Sequence, residues 1–169
     1  MKPVILLCLF ALVGCIKHTP SYSPAGKSLS QEDLQTSRER TKMLNLLEKS
    51  QIEDWIKSQA ENYEATSSNY WINVGNLHDR SRKTNGEIIS YQYEIYDFDW
   101  VKLYDDPIKN INVTFGRFEE LKPIEDALRY INKGEEVILL IPSALGYGAV
   151  GDGDRISTDM PLIIKLKVL

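Results

Sequence analysis

Apolar and polar positions alternate one for one through IISYQYEIYDF, where Ile89, Tyr91, Tyr93 and Ile95 stand against Ser90, Gln92 and Glu94. A period of two sends successive side chains to opposite faces, so this stretch reads as a strand with one face buried and one wet. Tyr and Ile also suit a pleated, half-buried surface. Tyr70, Ile72 and Val74 alternate in the same way, and LHDRSRKTNGE after them reads as a charged turn or long hairpin tip, with Asn85-Gly86 as its turn dipeptide. At the carboxyl end Leu162, Ile164, Leu166 and Val168 share one face and Lys165 and Lys167 the other, which predicts a final antiparallel strand. EEVILLIP breaks the alternation: its run from Val137 to Ile141 is continuously apolar, the pattern of a central strand covered on both faces. WVKLYDDPIKNINVTFG predicts a turn at Asp106-Pro107 and an extended piece through Asn112 to Phe115.

Two segments carry a helical period instead. In PIEDALRYINKG, Pro123 suits the first helical position, Glu125 and Asp126 the first turn and Gly134 the exit, while Ile124, Ala127, Leu128 and Ile131 recur at spacings of three and four. Upstream, Ser30 can cap a helix whose first turn holds Glu32 and Asp33, and Leu34, Leu44, Leu47, Trp55 and Ile56 form an incomplete apolar stripe. That segment predicts one or two amphipathic helices packed on the body. The fold class is α+β: a twisted antiparallel sheet wrapped on one short helix, with an N-terminal helical extension.

The first residues change this picture. MKPVILLCLFALVGC has Lys2, an apolar stretch from Val4 to Val13 and Gly14 before Cys15, the build of an export signal and short of the roughly 20 residues of a spanning helix. The only cysteines are Cys8 and Cys15, so a chain processed at Cys15 has no pair for an internal disulfide. LVGC resembles the lipobox of bacterial lipoproteins, which implies acylation of Cys15. The expected organisation is a lipoprotein signal peptide at 1–14, a lipid-anchored spacer at 15–29, a helical extension at 30–64 and a folded domain at 65–169. Removing 1–14 takes away Lys2 and no acid, leaving 19 basic and 24 acidic residues. Membrane attachment through acylated Cys15 then depends on lipid chains, because no polybasic signal assists it. The same balance argues against a nucleic-acid partner.

Candidate chemistry is sparse. His18 and His78 are the only histidines and complete no metal cluster. GAVGDGD has glycines without the Gly-Lys-Ser/Thr of a phosphate loop, and Ser143 lacks a nucleophile elbow. Its GDGD lacks the helix-loop-helix setting and terminal Glu of an EF-hand calcium loop. Asp97, Asp99, Asp105 and Asp106 surround an aromatic-rich turn and read as surface charge before they read as an acid/base pair. No cofactor or metal is expected. The stronger constellation is apolar and aromatic: Tyr93, Tyr104, Leu121, Ile124, Tyr147 and Ile164 can converge between helix and sheet to enclose a small ligand. Tyr147, between two glycines in IPSALGYG, fits a structural wall and a ligand hydrogen bond equally well.

Residues 115–169, with the G-E-E-V strand start, IPSALGYG, Ile156 and LIIKLKV, resemble FKBP-type peptidyl-prolyl cis/trans isomerases, and YQYEIYDFDWVKLYDD extends the match more weakly. Combined with LVGC and the helical extension, the chain is similar to the gliding motility-associated lipoprotein isomerases of Bacteroidetes. The resemblance implies an FKBP-like domain on an envelope lipoprotein facing the periplasm. Its implied partners are proline-containing segments of envelope proteins, gliding-machinery proteins among them. It also implies site roles: Tyr93 and Tyr104 as walls, Asp105 as the pocket aspartate, Leu121 and Tyr147 as the N–H and hydroxyl that receive substrate carbonyls, and Ile156 as rim.

The sequence departs from the family pattern where Ile124 replaces a floor tryptophan, Ile164 an aromatic residue and Asp152 a frequent histidine. No arginine near DDPIKN is positioned to pair with Asp105. Two functions stay open: prolyl isomerisation, or a proline-peptide-binding or chaperone lipoprotein with little catalysis.

Overall fold

The computed structural model describes residues 30–169. The leader, Cys15, His18 and the spacer lie outside the described residues.

The apolar patterns assemble into one six-stranded antiparallel sheet. In chain order its strands are β1 (Glu64–Ala65), β2 (Trp71–Ile72), β3 (Ile88–Tyr96), β4 (Ile108–Thr114), β5 (Glu136–Ile141) and β6 (Leu162–Val168). In space they run β1-β2-β5-β6-β3-β4, so the two strands with the longest apolar runs sit in the middle. β3 alternates as expected: Ile89, Tyr91, Tyr93 and Ile95 are buried and the intervening residues are not. They meet Leu162, Ile164, Leu166 and Val168 of β6, and the helix α2 (Lys122–Leu128) lies against this face with Ile124, Ala127 and Leu128 buried.

Helix α1 (Gln31–Ser58) covers the opposite face. Ser30 and Asp33 form a reciprocal capping box at its start, the side chain of each accepting a backbone N–H of the other. Ile52 then packs on Trp71, Leu140 and Ile163 in a second apolar cluster. The register explains why β5 reads as unbroken: Leu140 pairs with Trp71 on one side and Ile163 on the other, under α1, while Val137, Leu139 and Ile141 face α2.

Three expectations need correction. The stripe on α1 is right at Leu34, Leu44, Trp55 and Ile56, which are half-buried, but Leu47 is exposed, and the fully buried positions are Glu48 and Ile52. Tyr70, Ile72 and Val74 do share the main core, but the strand is short and not wet on its other side, because Trp71 is buried under α1. The segment after it is no hairpin tip, since β2 pairs with β5 rather than β3. It is held instead by its charges. Arg80 bonds both oxygens of Glu135, Lys83 donates to the carbonyls of Leu128 and Ile131, and buried Arg129 donates to Lys83 O and Asn85 Oδ1. Gly86 takes a φ of 94° and returns its N–H to Phe115 O, so Asn85-Gly86 is the expected turn in a different connection.

Candidate functional site

The site is assembled from separated pieces of the α2 face of the sheet. Tyr93, Ile124, Ile156 and Ile164 belong to one buried cluster, and Tyr104, Leu121 and Tyr147 pack against it half-buried. Seven of the eight residues expected in the pocket therefore meet. Ile124 and Ile164 are both 0% exposed, so the floor is a sealed aliphatic layer rather than an open aromatic plate. The half-buried residues supply the accessible surface.

Leu121 is the residue before α2, and its carbonyl accepts the N–H groups of Ile124 and Glu125. Its own N–H precedes the helical ladder and is not consumed by it. Tyr147 follows a single 3₁₀ turn, Ser143–Leu145, that the proline after β5 initiates. The Ser143 carbonyl accepts N–H groups from Gly146 and Gly148, each at 2.9 Å, which brackets Tyr147. Burial, and then the charge of Glu120, hold the Tyr147 hydroxyl above the ordinary tyrosine range, so it is a neutral O–H donor.

The rim closes through the 151–156 loop. Asp152 Oδ1 accepts the N–H groups of Asp154 and Ile156 at 2.9 Å each, and Asp152 N returns to Ile156 O. A side chain at Gly151 would put its Cβ 2.2 Å from Ile156 O, so this approach needs glycine. The glycines of GDGD thus serve a tight turn, and the Tyr104 hydroxyl reaches across to Asp152 Oδ2.

Asp105 is the correction. Its side chain is 89% exposed, 3.5 Å from Arg155 Nη2, and is not part of the buried cluster that the other seven residues share. The arginine judged missing is therefore present, contributed by the opposite loop rather than by the DDPIKN turn. Arg155 Nη1 donates to Leu103 O at 2.8 Å and its guanidinium lies 5.7 Å from the Tyr104 ring centroid. From the strand side Lys102 donates to Glu94 Oε1 at 2.6 Å and to Asp105 O at 3.0 Å. These contacts fix the backbone that presents Tyr104. The exposed Asp105 pair adds little to stability.

The carboxylate inside the site is Glu120, which the sequence did not single out. It accepts from Tyr93 Oη at 2.8 Å and from Asn110 Nδ2 at 2.7 Å. Burial first, and then the Glu120 charge, push the Tyr93 hydroxyl well above its ordinary range, and the same two causes act on Tyr91. Nothing about FEEL distinguishes Glu120 from Glu119; only the fold turns one toward the tyrosines. Among the described residues no group of His, Cys, Asp and Glu is arranged to hold a metal ion, and no helix is long and apolar enough to cross a membrane.

A cleft of about 790 Å³ between α1 and the body shares Pro142, Ala144 and Leu145 with the segment leading to Tyr147 but includes none of the expected pocket residues. The chemistry and that opening are therefore separate features of the surface.

The profile of the FKBP-type peptidyl-prolyl cis-trans isomerase family matches residues 80–169, which contain every site residue described above. The chain belongs to the FKBP-type peptidyl-prolyl cis/trans isomerase family, and its enzyme class is isomerisation at proline. The fold is similar to that of a peptidyl-prolyl cis-trans isomerase from Pseudomonas syringae pv. tomato, with a TM-score of 0.53 and 15% identity over 85% of this chain and 97% of that one. FkpA from Escherichia coli is similar with a TM-score of 0.54 and 15% identity, over 85% of this chain and 73% of that one. The N-terminal domain of FKBP42 from Arabidopsis thaliana gives 0.51 and 14%, over 66% and 92%. No curated protein matches the chain.

Proposed function

We propose that the chain isomerises Xaa-Pro bonds of extracytoplasmic proteins in the pocket bounded by Tyr93, Tyr104, Ile156 and Tyr147, without a cofactor. The observation that carries this reading is that two half-buried phenols, Tyr104 and Tyr147, and the helix-leading residue Leu121 border one apolar cluster that also contains the wall tyrosine Tyr93 and the isoleucine floor.

The reaction asks little of the protein chemically. Rotation about the prolyl C–N bond loses its partial double-bond character at the twisted geometry, and uncatalysed exchange takes roughly 10 to 100 s. A pocket that excludes water and fits the twisted amide better than either planar isomer lowers that barrier without a nucleophile. In this reading Tyr104 and Tyr147 flank the proline ring over the Ile124 and Ile164 layer. The Leu121 N–H and Tyr147 O–H each donate to a substrate carbonyl, and Glu120 orients Tyr93. Arg155 holds the rim through the Leu103 carbonyl, and Asp105 does not touch the amide.

The alternative, proline-peptide recognition with little catalysis, draws on the sealed aliphatic floor, which offers a proline ring no flat aromatic surface. Titration of a ¹⁵N-labelled chain with a short Xaa-Pro peptide tests the location. The reading requires the Leu121, Gly146 and Gly148 amides to shift first; shifts confined to the α1 cleft would remove the pocket from consideration.

The cellular setting is part of the same proposal: an envelope lipoprotein facing the periplasm, anchored through acylated Cys15, with proline-containing envelope proteins and the gliding machinery as clients. LVGC and the resemblance to the gliding-associated isomerases support it. Intact-protein mass from membranes tests the anchor, since a chain beginning at Cys15 without added acyl mass contradicts it.

A further inference from the structure

The structure assigns Glu48 the role of a positioning residue for Tyr147, which makes α1 a working part of the isomerase site. This inference rests on the reading in which Tyr147 donates to a substrate carbonyl.

α1 is a mostly solvated helix of 28 residues in which only Glu48 and Ile52 are buried. Ile52 has an ordinary reason, the apolar patch of Trp71, Leu140 and Ile163. Glu48 has none: a carboxyl group at 2% exposure gains nothing from apolar surroundings and must be matched by donors. Its two oxygens accept from Ser143, Oε2 from the backbone N at 2.8 Å and Oε1 from Oγ at 2.5 Å. Ser143 is 1% exposed and makes these bonds across 95 positions of sequence. The next link is the Ser143 carbonyl, which holds the N–H groups of Gly146 and Gly148 on either side of Tyr147.

The same helix grips the loop a second time. Arg40 Nη2 lies 2.7 Å from Asp159 Oδ2, and the Asp159 N–H donates to Gly148 O at 2.8 Å. The segment presenting Tyr147 is thus fixed before and after the tyrosine from one helix, with the buried grip at Glu48 and the exposed one at Arg40. Adhesion alone does not require the buried carboxylate. Ile52 and the Trp55 Nε1–H bond to Phe98 O at 3.0 Å already dock the helix. What Glu48 adds is a fixed place for Ser143, and a small displacement of a positioned group costs an enzyme much of its rate.

The test uses the full chain and the variants Glu48→Gln, Ser143→Ala and the pair, with Lys57→Ala on the exposed side of α1 as control. Glu48→Gln replaces one accepting oxygen with an N–H₂ that faces either the Ser143 N–H or a hydroxyl that must turn from donor to acceptor, so the contact is rebuilt and kcat/KM for NMR-detected Xaa-Pro exchange should fall about tenfold. Amide hydrogen exchange at Gly146 and Gly148 should quicken while β5 and β6 amides keep their protection. The Tyr147 ring signals should move. The two single changes should be non-additive, because they break one contact. Lys57→Ala should match the parent. Wild-type Tyr147 signals and Gly146 and Gly148 exchange in Glu48→Gln would overturn the assignment, as would uniform loss of protection through β5 and β6, which marks a stability role alone. If Glu48→Gln does not fold, Ser143→Ala is read by the same criteria, since it removes only the hydroxyl bond. A parent chain that fails to accelerate exchange defeats the reading of Tyr147 instead, and the hydrogen exchange and ring signals then decide the Glu48 link separately.

Discussion

The Tyr93 hydroxyl donates to Glu120 Oε2 at 2.8 Å, and this bond joins the middle of β3 to the segment just before α2. Its two ends are not equivalent. Tyr93 is buried, whereas Glu120 is partly open to water and has a second partner in Asn110. Removing the acceptor strands a buried hydroxyl, at a cost of about 1 to 3 kcal/mol; removing the hydroxyl leaves a carboxylate that water can reach. Glu120→Ala should therefore lower unfolding free energy more than Tyr93→Phe, as read from denaturant midpoints. Equal losses, or the reverse order, contradict this assignment of the site carboxylate.

The floor yields a prediction opposite to the one suggested by family resemblance alone. Tryptophan at position 124 would be expected to restore an aromatic plate, yet Ile124 has no exposed surface and is surrounded by packed core. Ile124→Trp should destabilise by about 1 to 3 kcal/mol through overpacking. A stable variant with faster exchange would show that the site has room the sealed floor denies.

The rim depends on a loop that Asp152 organises with both oxygens, one on Asp154 and Ile156 N–H groups and one on the Tyr104 hydroxyl. Asp152→Ala should raise KM for an Xaa-Pro peptide about threefold or more by freeing this loop, the scale of roughly one hydrogen bond's net worth. An unchanged KM places the substrate away from the rim.

Alkaline pH offers a test of the buried tyrosines. Burial and then Asp126 hold Tyr70 above the ordinary range, burial and then Glu120 hold Tyr93 there, and the hydrogen bond to Glu94 followed by burial brings Tyr96 to about 12. The native chain keeps protons that an unfolded chain releases near a pH of about 10. The native state then binds more protons than the unfolded one, so this contribution is full below about pH 10 and is lost as pH rises toward the folded values. Ultraviolet titration should show fewer than the nine tyrosines ionising before cooperative unfolding. Nine tyrosines ionising together in the folded chain contradicts the burial described.

The strands that face one core were legible because period two leaves a simple trace, as in Tyr91, Tyr93 and Ile95. Of the eight residues singled out through motif resemblance, seven converge on one apolar cluster. Three features left no such trace. Glu48 sits in a helix whose apolar stripe is faint, and its burial is caused by a serine 95 positions away. Arg155 reaches Leu103 and Asp105 from another loop, so local spacing around DDPIKN could not reveal it. Trp71 reads as the wet side of a strand until α1 covers it. Each is a tertiary contact between segments whose own patterns are silent.

The most direct measurement is NMR-detected cis/trans exchange of a short Xaa-Pro peptide, without a coupled protease, with the parent chain and with Tyr147→Phe. The account predicts accelerated exchange by the parent and a loss of about tenfold in the variant with the fold unchanged, the scale of one hydrogen bond made in the transition state. Peptide binding with exchange at the uncatalysed rate would contradict it and leave a recognition domain.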